Sequence, residues 1–168
     1  MRMDKKKILV LGLGNKILCD DGIGVRLTED LQAGFNCPEV YFETACCGGL
    51  EIVEMMYGYE YAIVIDAIKT TGYPGQIYLL SPGDLMNSLH VSNFHDISFP
   101  VAVELARSSG MPVPEKITII AVNILEDLLF SEDFSEPIGK KYNSILQNVR
   151  ELLADQLPVN FIEKPFVR

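Results

Sequence analysis

Apolar residues follow two rhythms along this chain, and the two alternate. Ile8-Leu-Val-Leu11 is a short branched run with lysines before it and glycines after it, the pattern of a buried strand. Beyond it Ile23, Leu27 and Leu31 recur four apart, with Arg26, Glu29 and Asp30 between them. That spacing predicts an amphipathic helix from about Asp21 to Ala33. Gly34, Asn36 and Pro38 mark a turn. Val40, Phe42 and Thr44 then alternate with Tyr41, Glu43 and Ala45 as a second strand. Gly48-Gly49 opens a second helix with Leu50, Val53 and Met56 on one face, where Met55 and Met56 read as core filling.

Tyr61-Ala-Ile-Val-Ile65 is the third strand, followed at once by Asp66. Only nine residues separate Asp66 from Gln76, and Thr71-Gly72 and Pro74-Gly75 lie among them. A parallel crossover needs about a dozen residues or more, so the fourth strand, Gln76 to Leu80, is expected antiparallel to strand three or its neighbour. Ser81-Pro-Gly-Asp84 turns the chain into a loop holding His90 and His95. A helix carrying Val101, Leu105 and Ala106 starts between Asp96 and Pro100, since proline fits only in or near a first turn. Lys116 to Val122 is apolar enough for a central fifth strand. From Ser135, the residues Ile138, Tyr142, Ile145, Leu146, Val149, Leu152 and Leu153 form one helical stripe, closed by Leu157-Pro158 ahead of a peripheral tail.

This order predicts one α/β domain over residues 1–168, a mainly parallel sheet with helices on both faces. If strand one is central, with strands two and three on either side, a switch point opens between strands one and three. The loop after strand one and the residue after strand three then face each other, which puts Asp21 and Asp66 in one crevice.

Composition narrows the function. The 168 residues are 48% hydrophobic and carry a net charge of −9. Phosphate binding needs a cationic surface, so the charge argues against nucleic acid, and against anionic membranes, while allowing a basic protein partner. Lys5, Lys6 and Lys7 precede an apolar run that ends at Gly14-Asn15-Lys16, too short for export or a membrane span. A cytoplasmic monomer is expected. Four cysteines, Cys19, Cys37, Cys46 and Cys47, lack Cys-x-x-Cys spacing and are expected as reduced thiols. Cys19, Cys46 and Cys47 follow strands and could share a cleft, with plain packing as the stronger reading.

Gly12-x-Gly14 after a strand invites a dinucleotide-binding reading, but Ile17 stands where the third glycine is required. Asp20 and Asp21 would also repel a pyrophosphate at the helix N-terminus, and they suit a cation better. Each candidate has an ordinary alternative. One of the two acids, Asp20 by choice, caps the helix. Asp66 turns back on its own backbone. His95 starts a helix at the surface. Convergence outweighs these, because three separate connections bring Asp, Asp and His to one sheet edge. Two carboxylates and an imidazole form a three-ligand set with open positions, of moderate affinity, with nickel above manganese or iron.

The combined pattern Gly12-x-Gly14-Asn15, Asp20-Asp21-Gly22-x-Gly24, Asp66-Ala67, Pro74-Gly75 and His95 resembles the [NiFe]-hydrogenase maturation endopeptidases. The resemblance runs from Ile8 through the helix after His95, and the element order agrees to the C-terminal helix. It implies a three-layer α/β/α sandwich with a five-stranded, mostly parallel sheet. It implies removal of a C-terminal peptide from the hydrogenase large-subunit precursor after nickel insertion. Asp21 then matches the family's first metal-contacting acid, Asp66 the second and His95 the histidine, while His90 precedes the expected position. After strand two the family carries glycines behind an acid, and here the segment reads Glu43-Thr-Ala-Cys-Cys-Gly-Gly49.

On this reading Asp21, Asp66 and His95 bind nickel already carried by the precursor, and other divalent ions can occupy the site in vitro. A metal shared between the two proteins gives specificity, because nickel-free precursor lacks the bridge. No serine or cysteine nucleophile is signalled. The alternative is a nickel-dependent chaperone that docks the precursor without cutting it. A nucleotide-binding domain ranks well behind on charge.

Overall fold

The computed structural model describes residues 7–35, 37–87 and 99–157. Five strands, β1 (Ile8–Leu13), β2 (Val40–Ala45), β3 (Tyr61–Ile68), β4 (Ile77–Leu80) and β5 (Lys116–Asn123), form one sheet in the order β2-β1-β3-β5-β4. All pairings are parallel except β4 with β5. The short connection after β3 passes over β5 to the far edge, and the buried Asn123 at the end of β5 holds it there. Its Oδ1 accepts the Thr70 amide at 2.8 Å, and its Nδ2 donates to the Gly72 carbonyl at 2.7 Å.

Alternation along the central strands divides the apolar residues between two cores. Ile8 and Val10, Ile63 and Ile65, and Ile120 and Val122 face helices α1 (Ile23–Gly34) and α5 (Glu136–Gln156). Leu9 and Leu11, Ala62 and Val64, and Ile117 and Ile119 face α2 (Gly49–Met55) and α4 (Phe99–Ser108). Strands buried on both faces read as continuous apolar runs, which is why β1, β3 and β5 stand out in the sequence. Met56 is fully buried among the second set. Among the described residues, no helix is long and apolar enough to cross a membrane.

The structure departs from the sequence reading at several points. In α2, Ile52 rather than Leu50 is buried beside Val53 and Met56, and Leu50 faces outward. In α4 the buried residues are Pro100, Ala102, Val103 and Ala106, whereas Val101 and Leu105 are exposed. A further short helix, α3 (Pro82–Asn87), follows β4 directly. Ser81 opens it reciprocally: its Oγ accepts the Asp84 amide at 3.3 Å, and its amide donates to Asp84 Oδ2 at 2.6 Å. Helix α1 begins at Ile23, because Cys19–Gly22 close a separate 3₁₀ turn before it. Strand β3 runs through Asp66 to Ile68, since β5 continues to pair with it there, Asp66 opposite Ala121. The last β1 pairing is Gly12 with Ile65. One neighbour of β3 therefore stops where the other continues, and the gap left beside Asp66 is the switch-point crevice.

Candidate active site

The loop from Gly14 to Gly22 is folded back on itself by its glycines and Asn15. Gly14 has φ +132°, and a Cβ there would collide with the Asp21 carbonyl oxygen. At Gly24 a Cβ would strike the carbonyl oxygens of Leu13 and Ile65, so only glycine lets α1 start directly on the ends of β1 and β3. Asn15 Oδ1 accepts the Ile17 amide at 3.2 Å, and its backbone carbonyl accepts the Leu18 amide at 3.0 Å. The Asn15 amide itself donates to Asp21 Oδ2 at 2.7 Å. These glycines thus serve close packing and a tight loop, which is the physical content of a motif that looks at first like a phosphate cradle.

The two neighbouring acids have opposite destinations. Asp20 is fully buried and does not cap α1. Its Oδ2 accepts the Leu125 amide at 3.2 Å, the Glu126 amide at 3.0 Å and the Ser135 hydroxyl at 2.7 Å, and its Oδ1 accepts the Ser135 amide at 2.8 Å. It therefore ties the connection after β5 and the N-cap of α5 to the β1 loop. Asp21 is half-buried at the crevice, and beyond the Asn15 bond its Oδ1 has no partner among the described residues. Burial raises its pKa above the usual carboxylate value, against the pull of the Asn15 amide, and the charge of Asp127 adds to the rise.

Asp66 faces the α2–α4 side, in step with Val64 and Ile68 on β3. Its Oδ1 accepts the Ala67 amide at 2.8 Å, the local turn-like bond an acid near a strand end can make, and Oδ2 has no partner among the described residues. Burial pushes its pKa up to about 7; the Ala67 amide opposes this, and the charge of Asp21 raises it further. Two carboxylates, one from the turn after β1 and one from β3, thus converge, each with one oxygen fixed by a backbone amide and each disfavoured as a bare anion. A cation between them relieves both effects.

His95 and His90 lie outside the described residues, in the connection leading into α4. Among the described residues there is no group of three or more His, Cys, Asp or Glu able to hold a metal. Cys19 is buried in a left-handed conformation (φ 50°), its thiol directed at Asp20 Oδ1, 3.8 Å away. Burial and then the Asp20 charge push that thiol above its ordinary value. Burial raises the Cys47 thiol as well, and its side chain packs against the α2–α4 core. Cys46 is exposed. Neither raised thiol is an activated nucleophile. A groove lined by Tyr73, Ile77, Glu151 and Asp155 lies against α5 and includes neither Asp21 nor Asp66.

Sequence reasoning missed Asp127. It follows β5 at the same sheet edge, forms an ion pair with Lys69 (2.7 Å), and its charge acts on Asp21. The available signal was its place behind a third parallel strand, where the chain returns to the same crevice.

Comparison with known proteins gives a consistent result. A family model described as hydrogenase maturation protease matches residues 25–151. The chain is 31% identical over 123 residues to the hydrogenase 2 maturation protease of Escherichia coli (strain K12), covering 69% of this chain and 72% of the relative. It is 27% identical over 162 residues to the hydrogenase expression/formation protein HoxM of Azotobacter vinelandii, covering 92% and 75% respectively. The hydrogenase maturating endopeptidase HybD from E. coli superposes with a TM-score of 0.73 at 26% identity, over 94% of this chain and 98% of that one.

Proposed function

We propose, since this chain belongs to the hydrogenase maturation protease family, that it is the endopeptidase that removes the C-terminal extension of a [NiFe]-hydrogenase large-subunit precursor after nickel insertion. The observation that carries this reading is the convergence of Asp21 and Asp66 in the gap where β1 ends and β3 runs on. Each presents an oxygen without a partner among the described residues. The family resemblance assigns the third ligand to His95, which lies outside the described residues. Nickel enters as part of the substrate, and the site senses it by supplying ligands that the precursor's own metal lacks.

Hydrolysis of the scissile amide needs a polarised carbonyl, a deprotonated water and a proton for the leaving amine. The substrate's nickel supplies Lewis acidity. One of the two carboxylates would take the water's proton and return it to the leaving amine. Fixing one oxygen of each acid by a backbone amide holds the other in place without reorganisation.

The test is incubation of nickel-loaded and nickel-free precursor with the protein, read by intact mass. Shortening of the nickel-loaded chain alone is expected. A bound but full-length precursor would make the protein a nickel-dependent chaperone. Wild-type rates for Asp21→Asn, Asp66→Asn or His95→Ala would remove that residue from the mechanism.

A further inference from the structure

The connection between β5 and α5 carries the two most exposed large apolar side chains among the described residues. Leu128 and Phe130 are each 80% exposed, Leu129 57% and Leu125 49%, and Ile17 of the β1 loop stands beside them at 48%. Large side chains left in water this way, contiguous along one loop, mark an interaction surface. The loop is also rigidly held. Glu126 Oε1 accepts the Leu128 and Leu129 amides at 2.9 and 3.3 Å. The Ser131 amide donates to the Ile17 carbonyl at 3.0 Å, and the Ser131 carbonyl accepts the Cys19 amide at 2.8 Å. Asp20 fixes the loop's first residues and Arg26 bonds the Glu132 carbonyl. A loop ordered in advance loses little entropy when a partner covers it.

We infer that this loop is a docking surface for an apolar segment of the hydrogenase large-subunit precursor, seated beside the carboxylates so that the scissile bond is brought to them. The inference rests on the peptidase reading above. Continuity with the candidate site supports it: the loop is anchored on Asp20, the chain neighbour of Asp21, and contains Asp127, whose charge reaches Asp21. The apolar area suits a protein partner: five large side chains exposed at 48–80% form a patch of the size, about 300–600 Å², that is often functional on a monomer. Charge excludes other occupants. Glu132 and Asp133 are exposed on the same loop of a chain with net charge −9, so an anionic membrane or a second copy meets repulsion. A polypeptide with cationic residues beside its apolar stretch does not.

The experiment compares wild type with the double variant L128S/F130S, both positions being exposed enough to leave the fold intact. Cleavage of nickel-loaded precursor gives kcat and KM, and calorimetric titration of the same precursor gives its affinity. The expected result is a KM at least tenfold higher with kcat within threefold, and affinity reduced in parallel. KM and affinity within twofold of wild type would overturn the inference, as would a fall in kcat alone. So would a wild-type dimer that the double variant converts to monomer with KM unchanged. If wild type leaves the precursor uncut yet binds it tenfold more tightly than the variant does, the docking surface stands and the peptidase reading fails.

Discussion

The Asn15 amide donates to Asp21 Oδ2 at 2.7 Å, which orients one carboxylate oxygen and leaves the other facing the crevice. An asparagine side chain can accept the same bond, so Asp21→Asn is expected to keep stability within about 1 kcal/mol. Cleavage of nickel-loaded precursor should nonetheless fall at least a hundredfold, on the order expected when a charged catalytic group is lost. Thermal unfolding and intact mass measured on one preparation separate the two effects.

Asp66 gives a pH signature. Its folded pKa of about 7 lies above the ordinary 3.8, so the folded chain binds the proton more tightly than the unfolded one. The resulting stabilisation is fully present below about pH 4 and is lost as pH rises through 7. One pKa unit is worth about 1.4 kcal/mol. Solvent reaching this half-buried carboxyl reduces the total, and about 1–3 kcal/mol is expected. Metal-free wild type should thus lose stability from pH 4 to pH 8 relative to Asp66→Asn. Added nickel should raise Tm at pH 8 in wild type and not in the variant. Parallel pH profiles for the two proteins would count against the assignment.

Asp20 is the structural member of the acidic pair. Asp20→Ala leaves the Leu125, Glu126 and Ser135 amides without their buried acceptor. Each orphaned donor is costly, and a loss of about 2–4 kcal/mol is expected. Denaturant unfolding measures it. The apolar loop should also become susceptible to proteolysis, since Asp20 holds its first residues.

Gly24 places α1 against backbone on both β1 and β3. Gly24→Ala forces a Cβ into the carbonyl oxygens of Leu13 and Ile65, and overpacking of this kind costs about 1–3 kcal/mol. Because Asp21 lies two residues before this helix start, activity should fall by more than the stability change explains. Cleavage rates measured well below Tm test this.

Much of this architecture is legible in the sequence because the buried strands and long helices impose periods that few other arrangements satisfy. The central position of β1 follows from its unbroken burial, and the convergence of Asp21 with Asp66 follows from β1 lying beside β3. What escaped depends on distant partners. The role of Asp20 is set by residues 105 to 115 positions away, which no local pattern reports. The extension of β3 through Asp66 is decided by pairing with β5, not by the residues themselves. In α2, seven residues are too few to separate Leu50 from Ile52 by period. The exposure of Leu128, Leu129 and Phe130 belongs to a loop closed by Glu126 on the Leu128 and Leu129 amides, which no apolar period reports. Ser81-Pro-Gly-Asp84 reads as a turn into a loop, whereas the same four residues form the box that opens α3.

On the proposed function, Asp21, Asp66 and His95 would share one divalent ion. Crystals of the protein soaked with nickel test it directly, by anomalous scattering at the metal edge. A single strong peak is expected in the gap beside the end of β1, about 2.0–2.2 Å from one oxygen of each acid and one His95 nitrogen. A peak elsewhere, or an ion that leaves either carboxylate or His95 uncoordinated, would contradict it.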